Sequence, residues 1–211
     1  MIPTMPPIDT LAAFFGISVL LCLSPGPDNV FVLFQSALNG RRAGLSVVLG
    51  LGSGLLVHTA AVALGLAAIG AASEIAFTAL KLAGAVYLVW LAWQAFRAPV
   101  GPMTAEAAPA GFGRMYLRGV VMNLSNPKVT IFFLAFLPQF VDRAHGATAV
   151  QVLWLGAVFI AATLLTFGAI ALFAGTFGQA LQRSPRAQRV LNWGAGTVFL
   201  GLAARLAVAQ R

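Results

Sequence analysis

Apolar residues in this chain run on in long stretches instead of alternating or forming one-sided stripes. About 20 consecutive apolar residues are enough for a helix to cross a bilayer. The stretches predict six spans: about Leu11 to Leu38, Ala43 to Gly70, Ile75 to Phe96, Met115 to Phe140, Val150 to Phe177 and Val190 to Val208. Polar residues gather in the joints between them. Arg97 to Gly113 is rich in Pro, Gly and Ala with few large apolar residues, and it reads as a linker between two triplets of spans. The opening span of each triplet is interrupted, at Ser24-Pro25-Gly26-Pro27-Asp28-Asn29 and at Asn123-Leu124-Ser125-Asn126-Pro127-Lys128.

An odd number of spans per half turns the second half over in the membrane. The expected architecture is therefore an all-α polytopic membrane protein, six transmembrane helices arranged as two inverted three-helix repeats, the first helix of each broken at Pro. Repeat one covers about 8–97, the linker about 98–113 and repeat two about 114–211, all within a single domain of residues 1–211. Leu23-Ser24 and Leu124-Ser125 each lead into a proline, a short internal likeness that agrees with the span count. A helix that stops midway across lipid leaves backbone groups unpaired at several kcal/mol each, so such breaks survive only where protein or a polar cavity satisfies them. Two breaks in corresponding places mark the midplane site of a secondary transporter.

Composition narrows the class. Apolar residues make up 60% of the chain and charged ones 9%, against roughly 25% charged in soluble domains. No length remains for a separate soluble catalytic domain, and no enzyme activity is expected. The net charge of +8 comes from basic residues set between apolar runs, which argues for topology signals and against nucleic acid. The joints between spans one and two, three and four, and five and six hold Arg41, Arg42, Arg97, Arg114, Arg118, Arg183, Arg186 and Arg189. Only Arg143, Arg205 and Arg211 fall on the other side. The larger group belongs in the cytoplasm, which puts both termini outside. Met1 to Thr10 has no basic stretch, so the first span reads as retained and not as a cleaved signal. Trp90, Trp93 and Trp193 fit interfacial belts. Lys81, near Glu74 on one face of the third span, reads as a snorkelling side chain with a local partner. Cys22 is the single cysteine, which excludes an internal disulfide and a paired-thiol relay and leaves a small core hydrophobe.

The breaks carry the candidate chemistry. Asp28 lies well inside the first span, where an ionisable group costs at least roughly 2.5–3.5 kcal/mol and is a functional candidate by default. Capping of the second half-helix and pairing with Lys128 are the structural alternatives. Lys128, too deep in the fourth span to snorkel comfortably, is the counterpart. A pair of this kind either holds two broken helices together permanently or exchanges for a zwitterion, Asp28 taking the ammonium and Lys128 the carboxylate. Pro25, Gly26 and Pro27 remove two donors around the most permissive residue, and Pro127 breaks the second helix. The half-helix after Pro27 would aim its free N–H groups at an anion. Asn29, Asn123 and Asn126 offer neutral hydrogen bonds. Ser46, Gly50, Gly54 and His58 recur every four residues on one face of the second span, a groove for close packing that ends in a histidine. His58 reads as hydrogen-bonded across helices or as a proton relay. No Cys/His cluster has metal-ligand spacing and no phosphate-binding loop is present, so neither metal, cofactor nor direct ATP drive is expected.

These residues resemble the LysE/RhtB family of amino-acid exporters. The likeness rests on Ser24-Pro25-Gly26-Pro27-Asp28 and on the ladder Gly40, Gly44, Gly50, Gly54, His58 and Gly65. It continues through Leu80-Lys81-Leu82-Ala83-Gly84-Ala85-Val86-Tyr87-Leu88, then from Phe112-Gly113 through Gly119 to Asn126-Pro127-Lys128. The run Phe132-Phe133-Leu134-Ala135-Phe136-Leu137-Pro138-Gln139-Phe140 completes it. The resemblance implies an inner-membrane efflux carrier for amino acids or close derivatives, driven by the proton gradient. Its partners would be the lipid bilayer, an amino-acid substrate and protons, with a homo-oligomer left open. It does not fix the substrate, because members export basic, neutral and hydroxylated amino acids. Competing classes are a passive channel, a membrane-anchor subunit of a larger complex, and an inorganic cation exporter. A channel needs a continuous polar face on several spans, and a hard-cation cage needs more than one deep acid.

Overall fold

Among the described residues every regular element is helical, as apolar surroundings demand, because a helix pairs its backbone groups within itself. The computed structural model describes residues 5–24, 26–69, 74–98, 111–142, 146–174 and 184–208. The helices are α1 (Ile8–Leu23), α2 (Pro27–Asn39), α3 (Arg41–Ile69), α4 (Glu74–Arg97), α5 (Phe112–Ser125), α6 (Pro127–Ile131), α7 (Thr148–Phe173) and α8 (Pro185–Val208). Pro25, most of the linker, and the side chains of Glu74 and Lys81 lie outside the described residues.

By length and composition α3 and α7 can each cross a membrane, and two pairs reach the same measure when each is taken as one bent span: α1 with α2, and α5 with the stretch Pro127–Phe140 that α6 opens. Both pairs bend by more than 40°, the second by 51°. The all-α membrane class stands, with two clear spans and up to four. The sequence places the start of the last helix at Val190, yet α8 begins at Pro185. Ser184 caps it, its Oγ accepting from the Ala187 N–H at 3.2 Å, and proline suits the first helical position because its missing donor is one of the unpaired ones anyway.

A second departure follows α6. The chain continues as a π-helical stretch, Phe132–Phe136, and a 3-10 turn, Leu137–Phe140. Pro138 has no N–H and its ring cannot follow the carbonyl four residues back, so the ladder widens and Leu137 donates five residues back to Phe132. The widened turn faces Phe132, Phe133, Phe136 and Phe140 into the core. There they meet Phe14 of α1 and Phe159 of α7, with centroids 5.0 Å apart for Phe14–Phe140 and 5.2 Å for Phe132–Phe159.

Helix α3 packs along both α5 and α7, α4 pairs with α8, and α1 and α2 lie on α7. Small residues let α3 and α5 approach backbone to backbone. A Cβ at Gly50 would overlap the Tyr116 carbonyl, and one at Gly119 would overlap the Val47 carbonyl. Within lipid this close packing replaces the hydrophobic drive that water would supply. Gly50→Ala is expected to destabilise the protein by about 1–3 kcal/mol through overpacking. Gly113→Ala, whose added Cβ meets nothing within 4 Å, is the control and should change stability by less than about 1 kcal/mol. Melting of the two variants in detergent checks this, and equal melting points would mean that the glycine contact is not tight.

Candidate functional site

The two breaks are built alike. In each, proline takes the first helical position and a charged residue the second: Pro27 and Asp28 in α2, Pro127 and Lys128 in α6. The electrostatic consequences are opposite. A helix N-terminus carries partial positive charge, so it favours the Asp28 carboxylate and disfavours the Lys128 ammonium. Lys128 turns away from its own helix and reaches the negative end of α1. Its Nζ donates to the carbonyls of Leu21 at 3.3 Å and Ser24 at 3.2 Å, and to Ser24 Oγ at 3.2 Å.

This accounts for most of the carbonyls that the end of α1 leaves over. Leu20 accepts from the Ser24 N–H, Leu21 and Ser24 accept from Lys128, and Cys22 accepts from Asn29 Nδ2. The first broken helix is thus capped in large part by a side chain of the second. Gly26 makes room for it, since a Cβ there would sit 3.0 Å from Lys128 Nζ.

Asp28 and Lys128 are both buried, at 3% and 8% exposure. They come to the same place but do not pair directly, as the sequence symmetry suggested they would. Asn126 stands between them: its Nδ2 donates to Asp28 Oδ2 at 2.9 Å while its Oδ1 accepts from the Lys128 backbone N–H at 3.0 Å. One amide therefore caps α6 and holds the carboxylate of α2. The other carboxylate oxygen, Asp28 Oδ1, is buried with no protein donor, and so are Asn29 Oδ1 and Asn123 Oδ1.

His58 lies on α3 beside this joint without entering it. Its Nε2 is 3.3 Å from the Asn123 carbonyl oxygen, a contact that needs the proton on Nε2, and its ring lies tilted against Phe133 with centroids 5.6 Å apart. Asn123 itself rests on Gly54, where a Cβ would come within 2.6 Å of its Oδ1. The glycine face expected from the sequence is therefore a packing groove that ends at His58. Cys22 Sγ lies 3.5 Å from Thr163 Oγ1 in the core. Ser24 is the residue whose part sequence reading missed. A serine at the last turn before a Pro-Gly-Pro break was the available signal, because its carbonyl and hydroxyl both fall where the helix ladder ends.

Bent apolar spans that meet at a buried acid and a buried lysine make this a multi-pass membrane protein built around broken helices. The profile of the LysE type translocator family matches residues 18–210, and the chain belongs to that family. It is 34% identical over 199 residues to a homoserine/homoserine lactone efflux protein of Salmonella typhi, covering 94% of this chain and 96% of that one. It is 31% identical over 212 residues to a threonine efflux protein of the same organism, covering 95% and 100%. An uncharacterised membrane protein of Bacillus subtilis is 26% identical over 202 residues, covering 91% and 95%. No solved structure matches the chain.

Proposed function

We propose that this chain is a secondary transporter of the bacterial inner membrane that exports small amino acids of the homoserine and threonine type, or close derivatives, in exchange for protons. One observation carries the reading: relatives named for efflux of homoserine, its lactone and threonine align over nearly the whole length of both chains. Asp28 and Asn29 supply acceptors for substrate or proton, Asn126 and Lys128 hold the two breaks around them, and His58 borders the joint from α3. Gly26, Pro27 and Pro127 make the breaks, and Pro25 is assigned to the first of them from the sequence alone. A single deep acid favours an organic ammonium over a dedicated hard-cation cage.

Six spans in two inverted repeats, about 8–97 and 114–211, accompany this reading. The strongest helix pairings support it, because exchanging the halves relates them to one another: α3 on α7 and α4 on α8 map onto themselves, and α3–α5 is matched by α1–α7. Counterflow of labelled threonine and homoserine in proteoliposomes, with and without an imposed pH gradient, is the test. Uptake that ignores the gradient would remove proton coupling, and no uptake of either would remove the export reading. Both termini are placed outside. Labelling of Ala105→Cys, in a Cys22→Ala background, by an impermeant reagent on intact cells would reverse that orientation.

A further inference from the structure

We infer that the site at the two breaks recognises the ammonium of its substrate and leaves the carboxyl group unread, so that it takes primary amines whose carboxyl is free, esterified or closed into a lactone about equally. This deepens the export reading and rests on it.

The argument is a donor and acceptor account. A lysine ammonium has three N–H donors. Those of Lys128 face three oxygens, the Leu21 carbonyl, the Ser24 carbonyl and Ser24 Oγ. Lys128 is the buried cation among the described side chains. Giving a donor to a substrate carboxylate would strip a carbonyl at the end of α1 of its partner in a place poor in water, where an unmade hydrogen bond is costly. The N-terminus of α2, the other feature able to draw an anion, already holds one in its first turn, the Asp28 carboxylate. A second anion there would meet like charge.

The unpartnered side-chain atoms of the site are acceptors in want of donors. Asp28 Oδ1 and Asn29 Oδ1, on successive residues, are buried acceptors with no partner in the protein, and one of them belongs to a charged group. Asp28 as a whole is 3% exposed. The Asn29 amide nitrogen is engaged at the Cys22 carbonyl, which fixes its oxygen as the free end. A protonated primary amine brings N–H donors and the opposite charge, and so complements both oxygens. A carboxylate complements neither.

The test is ligand-dependent thermal stabilisation of the purified full-length chain in detergent, at a pH where the amines are protonated. The probes are L-threonine with its methyl ester, L-homoserine with its lactone, and N-acetyl-L-threonine. For at least one pair, the blocked compound should match the free acid within about threefold in apparent affinity, while the N-acetyl compound is weaker by about tenfold or more. In a pair whose free acid binds, a blocked partner weaker by about tenfold or more overturns the inference. That is the loss expected on removing a charge-assisted bond to the carboxylate. Binding of N-acetyl-L-threonine as tight as that of threonine, or stabilisation by none of the probes, overturns it too. Failure of the export reading shows separately, as ammonium-selective binding without any counterflow of labelled threonine or homoserine.

Discussion

Replacing Asp28 by asparagine is expected to reduce active export to the leak of empty vesicles while leaving the protein folded and inserted. The amide has nearly the same volume, and its oxygen can still accept from Asn126 Nδ2, so the joint between the breaks keeps its bridging bond. What disappears is the negative charge, and with it the capacity to hold a proton or to complement an ammonium. The stability cost should stay near 1–2 kcal/mol, the size of one charge-assisted hydrogen bond weakened to a neutral one. Efflux from proteoliposomes under a pH gradient, together with melting in detergent, separates the two effects. Export at the wild-type rate would reduce Asp28 to a charge that offsets the N-terminus of α2.

The second large effect belongs to Lys128. Lys128→Met keeps much of the aliphatic stem but removes every donor that meets the end of α1. The carbonyls of Leu21 and Ser24 and the Ser24 hydroxyl lose that partner at a buried position. Roughly 3–5 kcal/mol of destabilisation is expected, the loss associated with breaking a buried charged arrangement from one side. Combining it with Asp28→Asn tests whether the two charges act together. They do not touch, yet Asn126 contacts both residues, so a coupling of roughly 0.5–3 kcal/mol should survive. Strictly additive melting losses would mean that Asn126 transmits nothing between the two halves. Efflux from the double variant should remain absent.

How far the sequence carried is clearest at these two residues. Long apolar runs and Pro-Gly-Pro announce helices and their breaks through one local cause, the backbone donors and acceptors each residue can offer. The limits of α2, α3 and α4 accordingly fall within a few residues of expectation. The partner of Lys128 was not legible in that way. Symmetry between the halves points at Asp28, but the choice between a carboxylate and the end of a helix depends on the angle at which two half-helices cross. No local pattern encodes that angle. The π-helical turn was hidden for a similar reason: Pro138 shows that the ladder must fail, not whether the chain will kink or widen. Ser184, by contrast, was readable as a helix cap, and the late start assigned to α8 came from following apolarity past a clear Ser-Pro signal.

The cap that Lys128 places on α1 also sets an order of events during synthesis. Ser24 and Lys128 are 104 residues apart in the chain. When the ribosome has delivered α1 and α2, the Cys22 carbonyl can already be served by Asn29, only seven residues away. The carbonyls of Leu21 and Ser24 must wait until α3, α4, the linker and α5 have been made. Throughout that interval the first half carries exposed acceptors that lipid cannot satisfy, so water or the insertion machinery has to serve them. A nascent chain stalled before α6 would thus lack the Lys128 partner of the Leu21 and Ser24 carbonyls. The second half completes the first, and neither is a finished unit by itself.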